Sequence, residues 1–349
     1  MKAKTLLGKF ETFISRSLPV LIGLVISFVI MLIISDQPFT AFVSFIGGSF
    51  FDLYSFGSML SILSILLISG LGGMVALKAG AINIGGEGQL YLGAMTAAVI
   101  AIYLKLPAPD FVVTILAILG GMLAGALWIL IPALLKSSLN VNEIVTTLMS
   151  DYMAPLLTAY FVNNVIRNPM SGNAETVRIP QTMQLFKLLP PSKLNISIIL
   201  SILLLICLQI FYLRTKSGLK QQMVGLHPSF AEAMGVRPQK VIFTSLLASG
   251  AIFGLSGALV TLGIEYRFLQ GFSPGYGSLG LTIALMGGIA PIGILWSSIL
   301  YSVLLYGATK MQVNADVPFS LVFLLQGIIV LLVTSNKFNI SFGRREKNE

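Results

Sequence analysis

From Leu18 onward the chain repeats one pattern, an apolar run of roughly 18 residues or more followed by a short polar break. Each such run is long enough to cross a hydrocarbon core of about 30 Å, so the pattern reads as a series of spanning helices. Composition agrees with a surface that faces lipid. Of the 349 residues, 56% are hydrophobic and 10% charged, against about a quarter charged in an ordinary soluble domain. Mean hydropathy is +0.91. No long polar stretch is left over for a soluble domain, and residues 1–349 read as a single transmembrane domain with short tails.

The expected spans are approximately 18–35, 56–77, 82–104, 111–135, 143–163, 195–213, 241–263, 279–290, 292–311 and 318–335, about ten in all. The run Gly287 to Gly293 predicts a break, and 279–311 also reads as one span plus a re-entrant piece. The apolar run that begins at Leu18 follows Lys2, Lys4, Lys9 and Arg16 and shows no small-residue cleavage site, so it is read as the first span and not as a signal peptide. With the N-terminus inside, fifteen basic residues fall inside and seven outside. That bias places both termini in the cytoplasm. The connection 166–193 runs against it, with Arg167, Arg178, Lys187 and Lys193 outside.

An internal repeat is visible. Gly70 to Leu77 resembles Gly254 to Leu262, and each is followed by a polar, glycine-rich stretch, Asn83 to Gln89 and Phe272 to Gly280. In the expected topology the copies run in opposite directions, which is the sequence pointer to a pathway near the midplane. The alternative is that glycine-rich helices match by chance.

Two stretches carry chemistry. In Lys78 to Met95, five glycines and the polar side chains Asn83, Glu87 and Gln89 interrupt two apolar runs. Backbone freed from a helix is tolerated at membrane depth only where protein or a water-filled cavity satisfies it. One reading is a broken helix lining a solute path. The other is an interfacial loop, with Glu87 near a helix N-terminus where its charge is favoured. Asp151 lies well inside the 143–163 span, where acids face a pathway or bond a neighbouring helix. The second stretch is the basic connection 214–240. Pro228 and Ser229 can start a short helix there and Gly235 can end it, presenting Phe230, Ala233 and Met234 on one face. Such a helix suits a partner's groove or the membrane surface.

Several function classes drop out. The sequence has no G-x-x-x-x-G-K-[ST] loop, no H-E-x-x-H and no G-x-S-x-G. His227 is the only histidine and Cys207 the only cysteine, so neither a metal site nor an acid–base pair is expected of them. The chain reads as a transport protein and not as an enzyme.

The stretch ALKAGAINIGGEGQLYLGAM (Ala76 to Met95) resembles the signature of permease subunits of bacterial ATP-binding-cassette importers for branched-chain amino acids, ribose and nucleosides. Further resemblances lie in Val141 to Ala154, Val224 to Val236, Gly254 to Gly263 and Gly271 to Gly288, in the family's order and closer to its nucleoside branch. The chain departs from the pattern at Asp151 and His227, where asparagine is expected, and at Ser278-Leu279, where an aromatic–acidic pair is expected.

The resemblance implies a permease for nucleosides, or for a simple sugar such as ribose, in a bacterial cytoplasmic membrane. It implies no cofactor in this chain, since ATP and Mg would be used by a separate ATPase. That ATPase would dock on Leu226, His227, Pro228, Phe230, Glu232, Ala233, Met234 and Gly235. A second, related permease and a lipid-anchored or periplasmic binding protein complete the expected partners. Asn83, Glu87, Gln89, Tyr91, Asp151, Tyr152, Phe272 and Tyr276 are the expected path residues, and Tyr91, Tyr152 and Phe272 could stack on a base or serve only as core. The rival class is a secondary transporter driven by an ion gradient, with Glu87 and Asp151 as its ion sites.

Overall fold

The computed structural model describes residues 22, 23, 25–33, 35–315, 317, 324, 327 and 328. It is all-α among those residues, with two isolated β-bridges, Glu175 with Leu269 and Lys187 with Asn195. In chain order the helices are α1 (25–33), α2 (Pro38–Gly47), α3 (Leu53–Lys78), α4 (Gly86–Tyr103), α5 (Asp110–Trp128), α6 (Leu130–Leu139) and α7 (Glu143–Asn164). They continue with α8 (Ser197–Arg214), α9 (Lys216–Leu226), α10 (Pro228–Ala233), α11 (Pro238–Val260), α12 (Tyr276–Met286) and α13 (Pro291–Ala315).

Five segments among the described residues are long and apolar enough to cross a membrane: Leu53–Lys78, Asp110–Leu139, Ser197–Arg214, Pro238–Glu265 and Pro291–Ala315. The expected spans at 82–104 and 143–163 form the helices α4 and α7, which are not among those five. The expected spans 18–35 and 318–335 fall largely outside the described residues. The break expected after Met286 is present: Gly288 has φ +64° and Ile289 φ +55°, and α13 starts two residues later at Pro291. This leaves α12 with 11 residues, or about 16 Å at 1.5 Å per residue, roughly half of a hydrocarbon core.

The chain divides into two units, residues before Asp52 with those from Val303 on, and Asp52–Ser302. In the first unit, α2 meets the C-terminal half of α13. Gly307 faces the carbonyl of Phe45, Ser49 Oγ donates to the carbonyl of Val303, and Asn314 Nδ2 donates to Ser44 Oγ.

The second unit is built around α3 and α11, which are buried along most of their length. Asp52 starts α3 by accepting the Ser55 amide at 2.6 Å, as an N-cap does. The join of α5 and α11 depends on glycine. A Cβ on Gly125 would lie 2.8 Å from the Cα of Gly254, and one on Gly250 would lie 2.7 Å from the carbonyl oxygen of Gly125. Small residues let backbones approach closely in lipid, where apolar side chains gain little from meeting each other. By contrast α8 presents Ile199, Ile202, Leu203, Ile206 and Ile210 outward, as a helix that borders lipid can.

Candidate functional site

The glycine-rich stretch after α3 is an ordered loop. Gly80, with φ +76°, closes α3, and the chain runs through residues 81–85 into α4. Asn83 holds this loop. Its Nδ2 donates to Gln89 Oε1 at 2.9 Å, and Gln89 Nε2 donates back to Asn83 Oδ1 at 3.0 Å. Asn83 Nδ2 also donates to Ser249 Oγ on α11, and its Oδ1 accepts the Gly85 amide. Ser249 in turn donates to the carbonyl of Gly72 on α3. Both amide side chains are buried, so freed backbone and polar side chains satisfy one another within protein. From α7, Thr147 Oγ1 accepts the Ile84 amide, and Glu143, paired with Lys136 at 2.8 Å, reaches the Ile82 amide at 3.5 Å.

The two acids inside the apolar runs each cap a helix. The Glu87 carboxylate accepts the Gly277 amide at 2.7 Å and the Ser278 amide at 3.2 Å, both in the first turn of α12. Asp151, midway along α7, accepts the Gly88 amide at 2.7 Å in the first turn of α4. Helix N-termini carry unpaired amides and partial positive charge, so a carboxylate is favoured at each. The alternative of Glu87 at a helix start and that of Asp151 bonded to a neighbouring helix therefore both describe what is seen. Gly277 has no room for a side chain, since a Cβ there would lie 2.5 Å from the Cα of Glu87.

Beside this junction three aromatic rings gather. Tyr91 lies 4.8 Å from Phe272 and 6.3 Å from Phe268, and Phe268 lies 5.5 Å from Phe272, centroid to centroid. Tyr91 and Phe268 are buried and Phe272 is partly open. Tyr276 is buried at the first position of α12, where Ser273 Oγ accepts its amide. Tyr152, although next to Asp151, is 71% exposed on α7 and outside this ring cluster.

The expected site residues thus fall into one group around the starts of α4 and α12, with Tyr152 apart. Phe268, Ser249 and Thr147 join that group without having been expected. Their signal was weak, since a lone phenylalanine, serine or threonine in an apolar run reads as core or helix interior.

The 214–240 connection folds as α9 and α10. Pro228 opens α10, and Gly235 at φ +77° ends it while the Val236 amide returns to the carbonyl of Ala231 at 2.9 Å, a glycine-terminated C-cap. Ala231 is buried against the protein, whereas Leu226, Phe230 and Met234 are 75%, 56% and 63% exposed. His227, Pro228, Glu232, Ala233 and Gly235 are exposed as well. Behind α10, α9 is tied to the membrane helices. Gln221 Nε2 donates to the carbonyl of Val75 at 2.6 Å, and a Cβ on Gly225 would meet the Gly80 nitrogen at 3.1 Å. The knob is therefore joined to the same turn that leads into the Asn83 loop.

The connection 166–193 crosses over the segment that follows α11. The Thr176 amide donates to the carbonyl of Phe268 and the Ile179 amide to that of Tyr266. Arg267 pairs with Glu175 at 2.7 Å, and Lys193 with Glu265 at 3.7 Å. Arg178 and Lys187 flank the Tyr266 ring at 5.4 and 5.3 Å. Three of the four basic residues that strain the orientation rule are thus held by acids or a ring.

Sequence comparisons agree in one direction. The family described as branched-chain amino acid transport system, permease component, matches residues 55–334. The chain is 30% identical over 320 residues to the guanosine ABC transporter permease protein NupP of Bacillus subtilis, covering 91% of each chain. It is 30% identical over 302 residues to the glucose ABC transporter permease protein TsgB13 of Haloferax volcanii, 80% of this chain and 77% of the relative. It is 27% identical over 326 residues to the nucleoside ABC transporter permease protein NupB of Lactococcus lactis, 90% of this chain and 88% of the relative.

Proposed function

The chain belongs to the family of branched-chain amino acid transport system permease components, and on that premise we propose that it is the membrane-spanning permease subunit of an ATP-driven importer of nucleosides. The observation that carries the reading is the family match over residues 55–334, joined to similarity over nine-tenths of the chain to permeases named for guanosine and nucleosides. The exposed apolar helix α10, closed at both ends and tied through α9 to the Asn83 loop, supports an ATPase docking there. Such an ATPase supplies the energy that a chain without a phosphate loop cannot.

Alternating access follows from these parts. ATP binding in the partner shifts α10 and α9. Gly225 and Gln221 pass that shift to the turn at Gly80 and the end of α3. The starts of α4 and α12, held together by Glu87 and Gly277, then move as one piece and open to one side or the other. Tyr91, Phe268 and Phe272 border that piece and are placed to stack on a base, since every base offers a π-face. The ion-coupled rival finds less support, because both acids it needs hold helix amides.

Ten spans with both termini inside remain the reading that the charge bias favours. An inverted repeat is supported by the shared order of α3–loop–α4 and α11–loop–α12, each a long helix, a polar interruption and a helix start at the same junction. A second, related permease and an external binding protein complete the assembly, in a bacterial cytoplasmic membrane.

The test is purification of the tagged chain from its native membrane in mild detergent, followed by uptake in vesicles. Recovery of an ATPase and a second permease, with ATP-dependent uptake of guanosine or adenosine, supports the reading. Uptake of glucose or ribose but not nucleosides moves the solute to sugars. A chain that comes out alone, with uptake abolished by a protonophore while ATP lasts, overturns the importer.

A further inference from the structure

A cavity of about 670 Å³ lies among α3, α8, α9 and α11, away from the junction of Glu87 and Gly277. Its chemistry changes in order along one face of α11. Arg237 and Lys240 line it where the helix begins, Val241, Thr244 and Ser245 follow, and Ala248 and Ile252 line it further along. From residue 237 to 252 this gradient covers about 22 Å at 1.5 Å per residue. Lys220 on α9 adds a third cation, and no acid contributes to the lining. Among the described residues none of the three cations has an ion-pair partner. In the first turn of α11, Pro238 has no amide hydrogen, which leaves the amides of Gln239 and Lys240 at the helix start.

Tyr212 on α8 lines the cavity and is 8% exposed, with the Gln221 side chain beside its hydroxyl. Lys78 Nζ sits 5.6 Å from the centre of its ring, bringing a fourth cation close.

We propose that this cavity binds an anionic phospholipid, with the headgroup phosphate between Lys220, Arg237 and Lys240 and an acyl chain along Phe211, Ala248 and Ile252. The shape is that of an amphiphile, cationic at one end, hydroxylic in the middle and apolar beyond. Basic pockets between spanning helices are suited to anionic headgroups. None of the residues gathered around Glu87 and Gly277 lines this cavity. Because Gly235 and Val236, at the end of α10, also line the cavity, an occupied site would brace the docking helix against α11. The inference needs only that the chain sits in a bilayer and does not depend on which solute is carried.

The experiment uses the full chain with the companions it purifies with, delipidated in detergent and titrated with dioleoylphosphatidylglycerol, dioleoylphosphatidylcholine or inorganic phosphate. Binding is read by native mass spectrometry and by the thermal unfolding midpoint. Phosphatidylglycerol should bind saturably, at least about tenfold more tightly than phosphatidylcholine, and should raise the midpoint. The triple variant Lys220→Gln, Arg237→Gln, Lys240→Gln should lose the preference. Ala248→Phe, which fills the apolar end and leaves the cations in place, should lose the bound lipid too. Equal binding of the two lipids, or a preference that survives in both variants, overturns the proposal. An equal midpoint shift with inorganic phosphate alone would make the site an anion site and overturn the lipid assignment. None of these outcomes bears on whether nucleosides are imported.

Discussion

The Glu87 carboxylate lies 2.7 Å from the amide nitrogen of Gly277, across 190 residues of sequence. One acid therefore closes the start of α12 while standing in the first turn of α4, and the two interrupted segments share a single hydrogen-bond acceptor.

Glu87→Ala leaves the Gly277 and Ser278 amides without their partner in a buried site. The expected cost is about 1–3 kcal/mol of stability, together with loss of uptake. Glu87→Gln keeps an acceptor oxygen and should restore most of the thermal midpoint. Midpoints and uptake measured side by side separate the two roles. An Ala variant with both readouts unchanged would remove Glu87 from junction and path alike.

Gly277→Ala places a methyl group against the backbone of Glu87, where no flexible side chain can yield. Overpacking of this kind typically costs about 1–3 kcal/mol, and the yield of folded chain in membranes should fall. Gly172→Ala, at a position with nothing within 4 Å, is the matched control and should leave the yield unchanged.

Replacing Phe230 and Met234 together by serine should leave the thermal midpoint where it is, because both side chains are exposed. The variant should no longer bring the ATPase through purification. Retention of the ATPase would place the docking surface elsewhere.

Gln221→Leu breaks the 2.6 Å bond to the carbonyl of Val75 while α10 stays intact. The ATPase should still bind, but solute moved per ATP hydrolysed should drop. A variant with normal uptake per ATP would exclude α9 as the connecting element.

Phe272→Ala opens the ring cluster from its partly exposed side. Stacking on a base is worth about 1–3 kcal/mol, so the KM for nucleoside uptake should rise roughly tenfold with the amount of protein unchanged. An unaltered KM assigns the three rings to packing.

Much of the local structure was legible. The five glycines and three polar residues of 78–95 marked an interruption between two apolar runs, read either as a broken helix or as an interfacial loop. Pro228 and Gly235 marked both ends of α10, since proline fits a first helical turn and glycine the left-handed cap that follows one. What could not be read was the partner of each polar group. That Asp151 accepts the Gly88 amide, or that Asn83 clasps Gln89 and Ser249, depends on which helices touch, and helix contacts in lipid rest on glycines whose pairing one sequence does not specify. Tyr152 shows the limit from the other side. Helical spacing turns it about 100° from Asp151, and α7 buries the acid more than the ring.

The contact of Gly225 with Gly80 bears on timing as well as on shape. Side chains between two moving parts act as cushions, taking up small displacements by changing rotamer before anything behind them moves. Two bare peptide units have no such backlash. A tilt of α10, if carried by α9 as proposed, would therefore reach the foot of α3 at once and over the same short distance. The stroke that opens the path would then be set by how far the ATPase travels, and not by how soft the protein is in between.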